Sequence, residues 1–420
     1  MSPQDCSNTS NNGTSNGTGT SNDAKNDEKG HSLQHCRWAF LGLSAIAVKF
    51  LKDLLLPREE NKQLIHSLSA VGTSGGEERA RRWLVDQLPG GAAEAAEIAV
   101  FKSYAELLSH GDFDVVYIST PLGLHFDNAR DALRSGRNVL LEKPAVVSAG
   151  QWRALCDEAR LTGTVLMEAM WTRYQPAAQA FRDVVRPRLG PVRRIFADFS
   201  LPILPDPYLP ADSRFLDWTT GAGALIDLGV YPLTWVDMAL SDGDDSDTPP
   251  ARVIHAHTIP YSTPSGSIDD ITTVVLYREA DPPCTAVVTV SLSVPGSAVP
   301  PHDDRLIVAK NTPSVRIQGE KAEASVAFPP IRADRIHVEH YGKTRVGVDG
   351  FELVEDVHRP LHGWGLWYQA DVIGRAVLDP KRSGGLVIGE HSTTRVFTWL
   401  DQARELAGIH FTPDMEAVNL

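Results

Sequence analysis

Residues Asn138–Pro144 read NVLLEKP, and from this stretch the fold is deduced. Asn138 to Leu141 is a short apolar run without alternation, which suits a strand buried on both faces of a parallel sheet. The run ends abruptly in Glu142-Lys143-Pro144. Charge at the carboxyl end of such a strand falls where open α/β sheets bind ligands. Immediately upstream, Asp114–Ser119 (DVVYIS) is a second buried strand. Pro121 can then open a helix that runs to about Arg134, with Thr120 as its cap. Downstream, Gln151–Arg160 has helical character and Val165–Glu168 (VLME) returns as a strand.

The same alternation extends back towards the N-terminus. Trp38–Leu43 (WAFLGL) reads as a strand turning at Gly42, followed by a helix over Ile46–Leu56. Leu64–Val71 is the next strand, Glu77–Leu88 the next helix, and Phe101–Leu108 continues the pattern. Alternating strands and helices over 36–168 predict a right-handed, doubly wound parallel sheet. From about residue 190 the pattern becomes β-rich: Val192–Ser200, Arg252–Pro260, Thr272–Tyr277, Ala286–Val294, Arg305–Val308 and Ala322–Ala327. With a helix over Gly221–Leu240 and two near the C-terminus, 169–420 reads as an α+β domain with a large, mostly antiparallel sheet. Residues 1–35, rich in Ser, Thr, Asn and Gly, are expected to be a disordered tail.

Of 420 residues, 42% are hydrophobic and 22% charged, so most of the chain can bury a core. Lys plus Arg total 40 against 53 for Asp plus Glu, a net charge of −13. An acidic surface disfavours nucleic-acid and membrane partners. Phe40–Leu56, the most apolar stretch, carries Lys49, Lys52 and Asp53, so no membrane span is expected. Cys6, Cys36, Cys156 and Cys284 are widely spaced. No disulfide framework or metal site is expected, and a reducing, cytoplasmic setting fits.

The first strand leads into Gly42-Leu43-Ser44-Ala45-Ile46-Ala47. Gly42 and Ala47 match the outer positions of the dinucleotide fingerprint, while Ser44 replaces its middle glycine. Ser44 either donates a hydroxyl to a pyrophosphate or crowds it. Gly42, Ser44, Ala45 and Ile46 are candidate cofactor contacts. After the second strand no acidic residue appears before Glu77. An NAD enzyme would place an acid there for the ribose. Thr73, Ser74 and nearby Arg79 are instead suited to a 2′-phosphate, which favours NADP.

Four further segments are Thr120-Pro121-Leu122-Gly123-Leu124-His125, Glu142-Lys143-Pro144, Glu168-Ala169-Met170-Trp171-Thr172-Arg173 and the Gly221–Pro232 run GAGALIDLGVYP. In this order and spacing the chain resembles the glucose-fructose oxidoreductase / inositol dehydrogenase family, in its dihydrodiol and D-xylose dehydrogenase branch. The resemblance runs from Arg37 to about Pro413 and includes Val315–Gly319 and Gly363–Asp371. It implies a Rossmann domain followed by an open-faced antiparallel sheet through which subunits pair, here as a homodimer. It also implies that Lys143 sits beside the nicotinamide and the reacting hydroxyl. There an ammonium stabilises a developing alkoxide and lowers a neighbouring phenol's pKa.

By the same resemblance Tyr231 is the base. Asp227, at i−4 on one helical face, either orients the substrate or Lys143 or caps a helix. Glu142 is expected at the nicotinamide ribose, with Thr120, Pro121 and His125 in the cofactor loop. Trp171 and Arg173 would line the substrate site. Trp364, Trp367, Tyr368 and Gln369 read as packing. The implied activity is NADP-dependent oxidation of a sugar, D-xylose to D-xylonolactone, or of a trans-dihydrodiol. A cofactor-sensing regulator without catalysis is the alternative from another class.

Overall fold

The computed structural model describes residues 33–58, 63–204, 213–241, 251–296, 313–341, 354–379 and 386–418. Residues 1–32 of the expected tail, and the expected strand Arg305–Val308, lie outside the described residues.

The N-terminal half builds a sheet from β1 (Gln34–Leu41), β2 (Leu64–Gly72), β3 (Ala99–Phe101), β4 (Val115–Ile118), β5 (Asn138–Glu142) and β6 (Leu166–Ala169). Their order is β3-β2-β1-β4-β5-β6, and each pairing is parallel. The order reverses between β1 and β4, which opens a crevice at the carboxyl ends of β1, β4 and β5. All of β4 is buried, as its unbroken apolar run requires. β1 begins at Gln34, ahead of Arg37 and inside the stretch expected to be tail.

Helix α1 (Ala45–Leu54) follows β1 and buries Ala47, Phe50, Leu51 and Leu54. Asp53, a charge within the apolar stretch, is also buried. It accepts the amides of Trp364 (2.9 Å) and Leu366 (2.8 Å) ahead of the helix Trp367–Leu378. Among the described residues no helix is long and apolar enough to cross a membrane. Cys36, Cys156 and Cys284 are buried free thiols.

The second sheet contains β7 (Val192–Ser200), β8 (Arg252–Thr263), β9 (Gly266–Arg278), β10 (Cys284–Ser291), β11 (Val315–Gly319), β12 (Ala322–Val326), β13 (Arg335–His340) and β14 (Val354–His358). Its order is β14-β13-β12-β11-β7-β10-β9-β8. The pairings are antiparallel except β7 with β10, which run parallel. Val230–Leu240 is a helix buried at every position and packed against β7. The chain then returns: β15 (Val387–Ile388) adds a parallel edge to the first sheet beside β6.

The helix expected across Gly221–Leu240 is in fact two. Ala224–Asp227 closes when the amides of Leu228 and Gly229 both reach the Ala224 carbonyl (2.9 and 3.1 Å), and a second helix starts at Val230. Asp227 and Tyr231 therefore do not share one helical face. The break between the helices places each of them.

Candidate active site

The first turn is built on Gly42, whose φ is +93°. A Cβ there would stand 3.1 Å from the Ser119 carbonyl carbon, so a side chain would separate β1 from β4. The Gly42 carbonyl also accepts the Ser119 hydroxyl at 3.1 Å. Ser44 has extended backbone and is the N-cap of α1, its Oγ accepting the Ala47 amide at 3.3 Å. This explains the missing middle glycine: Ser44 caps the helix, a role neither expected reading gave it. The amides of Ala45 and Ile46 open the helix, where no intrahelical acceptor exists. With the helix dipole behind them they form a place for a phosphate.

At the end of β2, Thr73 Oγ1 accepts the Gly75 amide at 2.9 Å and Ser74 is exposed. Arg79 lies over this loop, since a Cβ on Gly75 would meet its Cδ at 3.1 Å and Nη1 at 3.4 Å. Glu77, the first acid beyond the strand, is drawn towards Arg81 (4.0 Å) and Lys102 (3.9 Å). The loop thus offers a guanidinium and hydroxyls to a ligand beside β2.

Thr120 does not cap the next helix. Leu122–Leu124 forms one turn of 3-10 helix, the α-helix starts at His125, and the Thr120 hydroxyl accepts from Asn128 Nδ2 at 3.0 Å. Pro121 precedes the short turn and makes no side-chain cap. His125 is buried with Nδ1 3.0 Å from the Pro144 carbonyl and Nε2 2.8 Å from that of Thr120. Both ring nitrogens face backbone carbonyls, to one of which a neutral imidazole can donate, so the ring sits between the Thr120 loop and the loop after Lys143 in place of the direct cofactor contact expected of it. Burial lowers its pKa, although the Thr120, Pro144 and Ala145 carbonyls favour the cation.

Glu142 ends β5 and is buried. Its Oε1 accepts the Tyr117 hydroxyl at 2.7 Å and its Oε2 the Lys143 amide at 2.9 Å. Burial pushes its carboxyl up to about 7 despite these donors and the Lys143 ammonium. Lys143 Nζ donates to the Asp227 carbonyl (3.0 Å) and Oδ1 (3.1 Å) and lies 4.7 Å from the centroid of the Tyr231 ring. Burial works against the ammonium, but Asp227, Tyr231 and Glu142 outweigh it and raise its pKa. Asp227 pairs also with Arg214 at 3.5 Å and caps no helix N-terminus. Burial opposes its charge, and Lys143 and Arg214 nevertheless hold its pKa below the ordinary value.

The Tyr231 hydroxyl accepts the Trp171 indole N–H at 3.0 Å. Burial raises the phenol's pKa, and the lowering by Lys143 and Trp171 does not overcome it. Lys143 thus pulls this phenol down as expected, but in the free protein burial, joined by Glu142 and Asp227, outweighs that pull and the net shift is upward. Arg173 commits one of its three nitrogens to protein partners, while its buried Nε and Nη2 have none among the described residues. It is buried, with Nη1 2.7 Å from Thr393 Oγ1 and 3.5 Å from Glu168 Oε2, and Glu168 in turn accepts the Ala145 amide at 3.3 Å. It braces the loop beyond Lys143 from behind. Trp367 and Gln369 are buried as expected, and Trp367 stacks on Tyr368 with centroids 3.7 Å apart.

Sequence reasoning missed Tyr117 and Arg214. Tyr117 carries the one side-chain hydroxyl within the apolar strand Val115–Ile118, a visible signal. Arg214 carries no spacing signal. Among the described residues no cluster of His, Cys, Asp and Glu fits a metal ion.

Residues 36–170 match the model of the oxidoreductase family with an NAD-binding Rossmann fold, Gfo/Idh/MocA. The chain is 31% identical over 382 residues to D-xylose 1-dehydrogenase (NADP(+)) of Hypocrea jecorina, covering 89% of this chain and 93% of that protein. Over 204 residues it is 34% identical to trans-1,2-dihydrobenzene-1,2-diol dehydrogenase of Sus scrofa, covering 48% of this chain and 55% of that one. A 3-ketoreductase from Actinomadura kijaniata, solved with NADP and TDP-benzene, shares the fold at a TM-score of 0.66 and 20% identity, covering 89% of this chain and 98% of the other. The Rossmann sheet, the glycine turn at Gly42 and similarity along most of the chain agree: this protein belongs to the Gfo/Idh/MocA family of NAD(P)-binding oxidoreductases.

Proposed function

We propose that this protein is an NADP-dependent dehydrogenase that takes a hydride from the carbon bearing a ring hydroxyl of a sugar, converting D-xylose to D-xylonolactone. One observation carries the reading: Lys143, Asp227, Tyr231 and Trp171 converge beside the carboxyl end of β5. The similarity to the Hypocrea jecorina enzyme over most of both chains supports the substrate and the cofactor.

The residues present fit a dinucleotide. Gly42 leaves the space a Cβ would fill, the Ala45 and Ile46 amides face a phosphate, and Thr73, Ser74 and Arg79 suit a 2′-phosphate. When bound, the nicotinamide supplies the hydride acceptor. The protein's part is positional and protolytic. Lys143 offers an ammonium to the reacting oxygen, which stabilises alkoxide character as the C1–H bond breaks. Tyr231 takes the hydroxyl proton as the C1–O bond becomes the lactone carbonyl, and the electron pair of C1–H leaves as hydride. Trp171 donates to the tyrosyl oxygen and holds it in place. Asp227 fixes Lys143. In the free protein the phenol is protonated at neutral pH, so oxidation gains as pH rises and the reverse reduction finds its proton donor ready.

The local similarity to the dihydrodiol dehydrogenase supports a second substrate class, a trans-dihydrodiol, through the same cluster. The regulator reading loses the support of Ser44, which caps a helix. On the open face of the second sheet Phe196, Val287 and Val275 lie side by side on β7, β10 and β9, an apolar row that supports a homodimer through this sheet. A cytoplasmic setting accords with the free cysteines.

The test is absorbance at the reduced-nicotinamide band with D-xylose, other aldoses and a trans-dihydrodiol, each with NADP and with NAD. Turnover of D-xylose with NADP is expected. Cofactor binding without turnover of any ring alcohol would leave the regulator.

A further inference from the structure

We infer that Asp269, on β9, is a positioning residue for the catalytic turn: through the Leu225 amide it fixes where Asp227, and hence Lys143, stands. The inference rests on the dehydrogenase reading and deepens it.

The turn begins at Gly221 and carries Asp227 on a helix only four residues long, Ala224–Asp227. So short a helix cannot hold its own geometry, and its first amides lack intrahelical acceptors. No side chain of the turn caps it, since its N-cap is Gly223. The cap comes from the sheet: Asp269 Oδ2 accepts the Leu225 amide at 2.6 Å and the Thr272 hydroxyl at 3.1 Å. Thr272 in turn reaches Thr258 on β8 at 2.9 Å. Asp269 is 6% exposed, and these donors offset part of the burial of its carboxylate.

The approach is closed to larger residues. Gly223 has φ +151°, and a Cβ on it would lie 2.0 Å from Asp269 Oδ1. From this contact the geometry passes along the chain. The Asp227 amide donates to the Gly223 carbonyl at 3.2 Å, and the Asp227 carbonyl and carboxylate both receive Lys143 Nζ. The neighbouring acid, Asp270, serves another purpose: it accepts the amides of Leu292 (3.0 Å) and Ser293 (2.9 Å) beyond β10. Of the two adjacent acids, Asp269 alone holds the catalytic turn.

The experiment compares Asp269→Ala and Asp269→Asn with the wild type in the full-length protein. Three quantities are read: kcat and KM with D-xylose and NADP, NADP affinity by fluorescence titration, and hydrogen exchange of peptides covering 221–231 by mass spectrometry. Asp269→Ala should lower kcat by up to about 10²-fold, as expected when reacting groups are displaced by about an ångström. NADP affinity should stay within a few-fold, and exchange should rise across 221–231 but not across 138–144. Asp269→Asn keeps an acceptor oxygen and should restore most of the rate and protection. Unchanged exchange over 221–231 in a folded Asp269→Ala protein would overturn the inference. So would a loss spread evenly over the whole chain that Asn does not rescue. If the wild type turns over no ring alcohol, the dehydrogenase reading fails separately, and the exchange comparison still decides whether Asp269 holds the turn.

Discussion

Lys143 Nζ contacts Asp227 twice, at the carbonyl oxygen (3.0 Å) and at Oδ1 (3.1 Å), and meets Tyr231 over its ring, 4.7 Å from the centroid. The ammonium is thus committed to a carboxylate, and the phenol feels a cation already neutralised in part. Burial then decides the phenol's protonation.

Substitutions at the two partners should therefore move the pH profile in opposite directions. Lys143→Met removes the influence that lowers the Tyr231 pKa, so the rise of the oxidation rate with pH should shift upward. Asp227→Asn removes an influence that raises it, so the rise should shift downward. Tyr231→Phe should cost roughly 10²–10⁴-fold in kcat, and the Lys143→Met/Tyr231→Phe pair little more than either alone. Initial rates between pH 6 and 10 check all four variants. Near wild-type turnover by Tyr231→Phe would remove the phenol from the mechanism.

Arg79 should decide between the two cofactors. Its side chain lies over Gly75 at the end of β2, beside the Thr73 hydroxyl. A charge-assisted hydrogen bond contributes about 1.5–3 kcal/mol, or about 10- to 100-fold in affinity. Arg79→Ala should weaken NADP by that factor and leave NAD nearly unchanged. Ser74→Asp should repel a 2′-phosphate and shift preference the same way. Fluorescence titration with both cofactors measures this, and equal losses for NAD and NADP would contradict it.

Much of this architecture was legible because strands buried on both faces announce themselves. Val115–Ile118 and Asn138–Leu141 are unbroken apolar runs, and Val192–Ser200 is a strand over its full expected span. Glu-Lys-Pro at the carboxyl end of β5 marked the candidate site because charge at the end of such a run falls where open α/β sheets bind ligands. What was not legible depends on partners distant in sequence. Arg173 carries no sign of its buried partners in the sequence, yet Thr393 and Glu168 hold its Nη1. His125 looked like a loop histidine, but two carbonyls enclose it. The helix break at Leu228 had a visible signal in Gly229, with Pro232 just beyond it, and the paired amides on the Ala224 carbonyl end the first segment there.

Ser44 tests whether the altered fingerprint concerns the helix or the ligand. As N-cap of α1 it accepts the Ala47 amide at 3.3 Å. Ser44→Ala should then cost about 1 kcal/mol of stability and Ser44→Gly only a few tenths, since glycine tolerates the cap position. NADP affinity should change little in Ser44→Gly. Urea denaturation midpoints and cofactor titration check both, and a large gain in affinity for Ser44→Gly would mean that the hydroxymethyl crowds the phosphate.

Glu142 should make the free protein less stable as pH rises. Its carboxyl titrates at about 7 when folded, against an ordinary value of 4.5, because burial penalises its charged form. Between those two values the folded state holds more of a proton than the unfolded state, so unfolding releases it and stability falls with increasing pH. Below about pH 4.5 both states are protonated and the effect vanishes; above about 7 it is complete. A difference of that size corresponds to roughly 3 kcal/mol at most. Glu142→Gln cannot titrate, so it should lose this slope. Its stability relative to wild type should improve by an amount approaching that figure between pH 5 and pH 8, whatever the fixed cost of placing an amide against the Lys143 N–H. Asp269, whose carboxyl burial lifts to about 6, contributes a slope of the same sign to both proteins and cancels in the comparison. Denaturant titrations at pH 5 and pH 8 on both proteins give the difference directly. If the two lose stability in parallel, Glu142 is ionised throughout and its hydrogen bonds to Tyr117 and the Lys143 amide outweigh its burial.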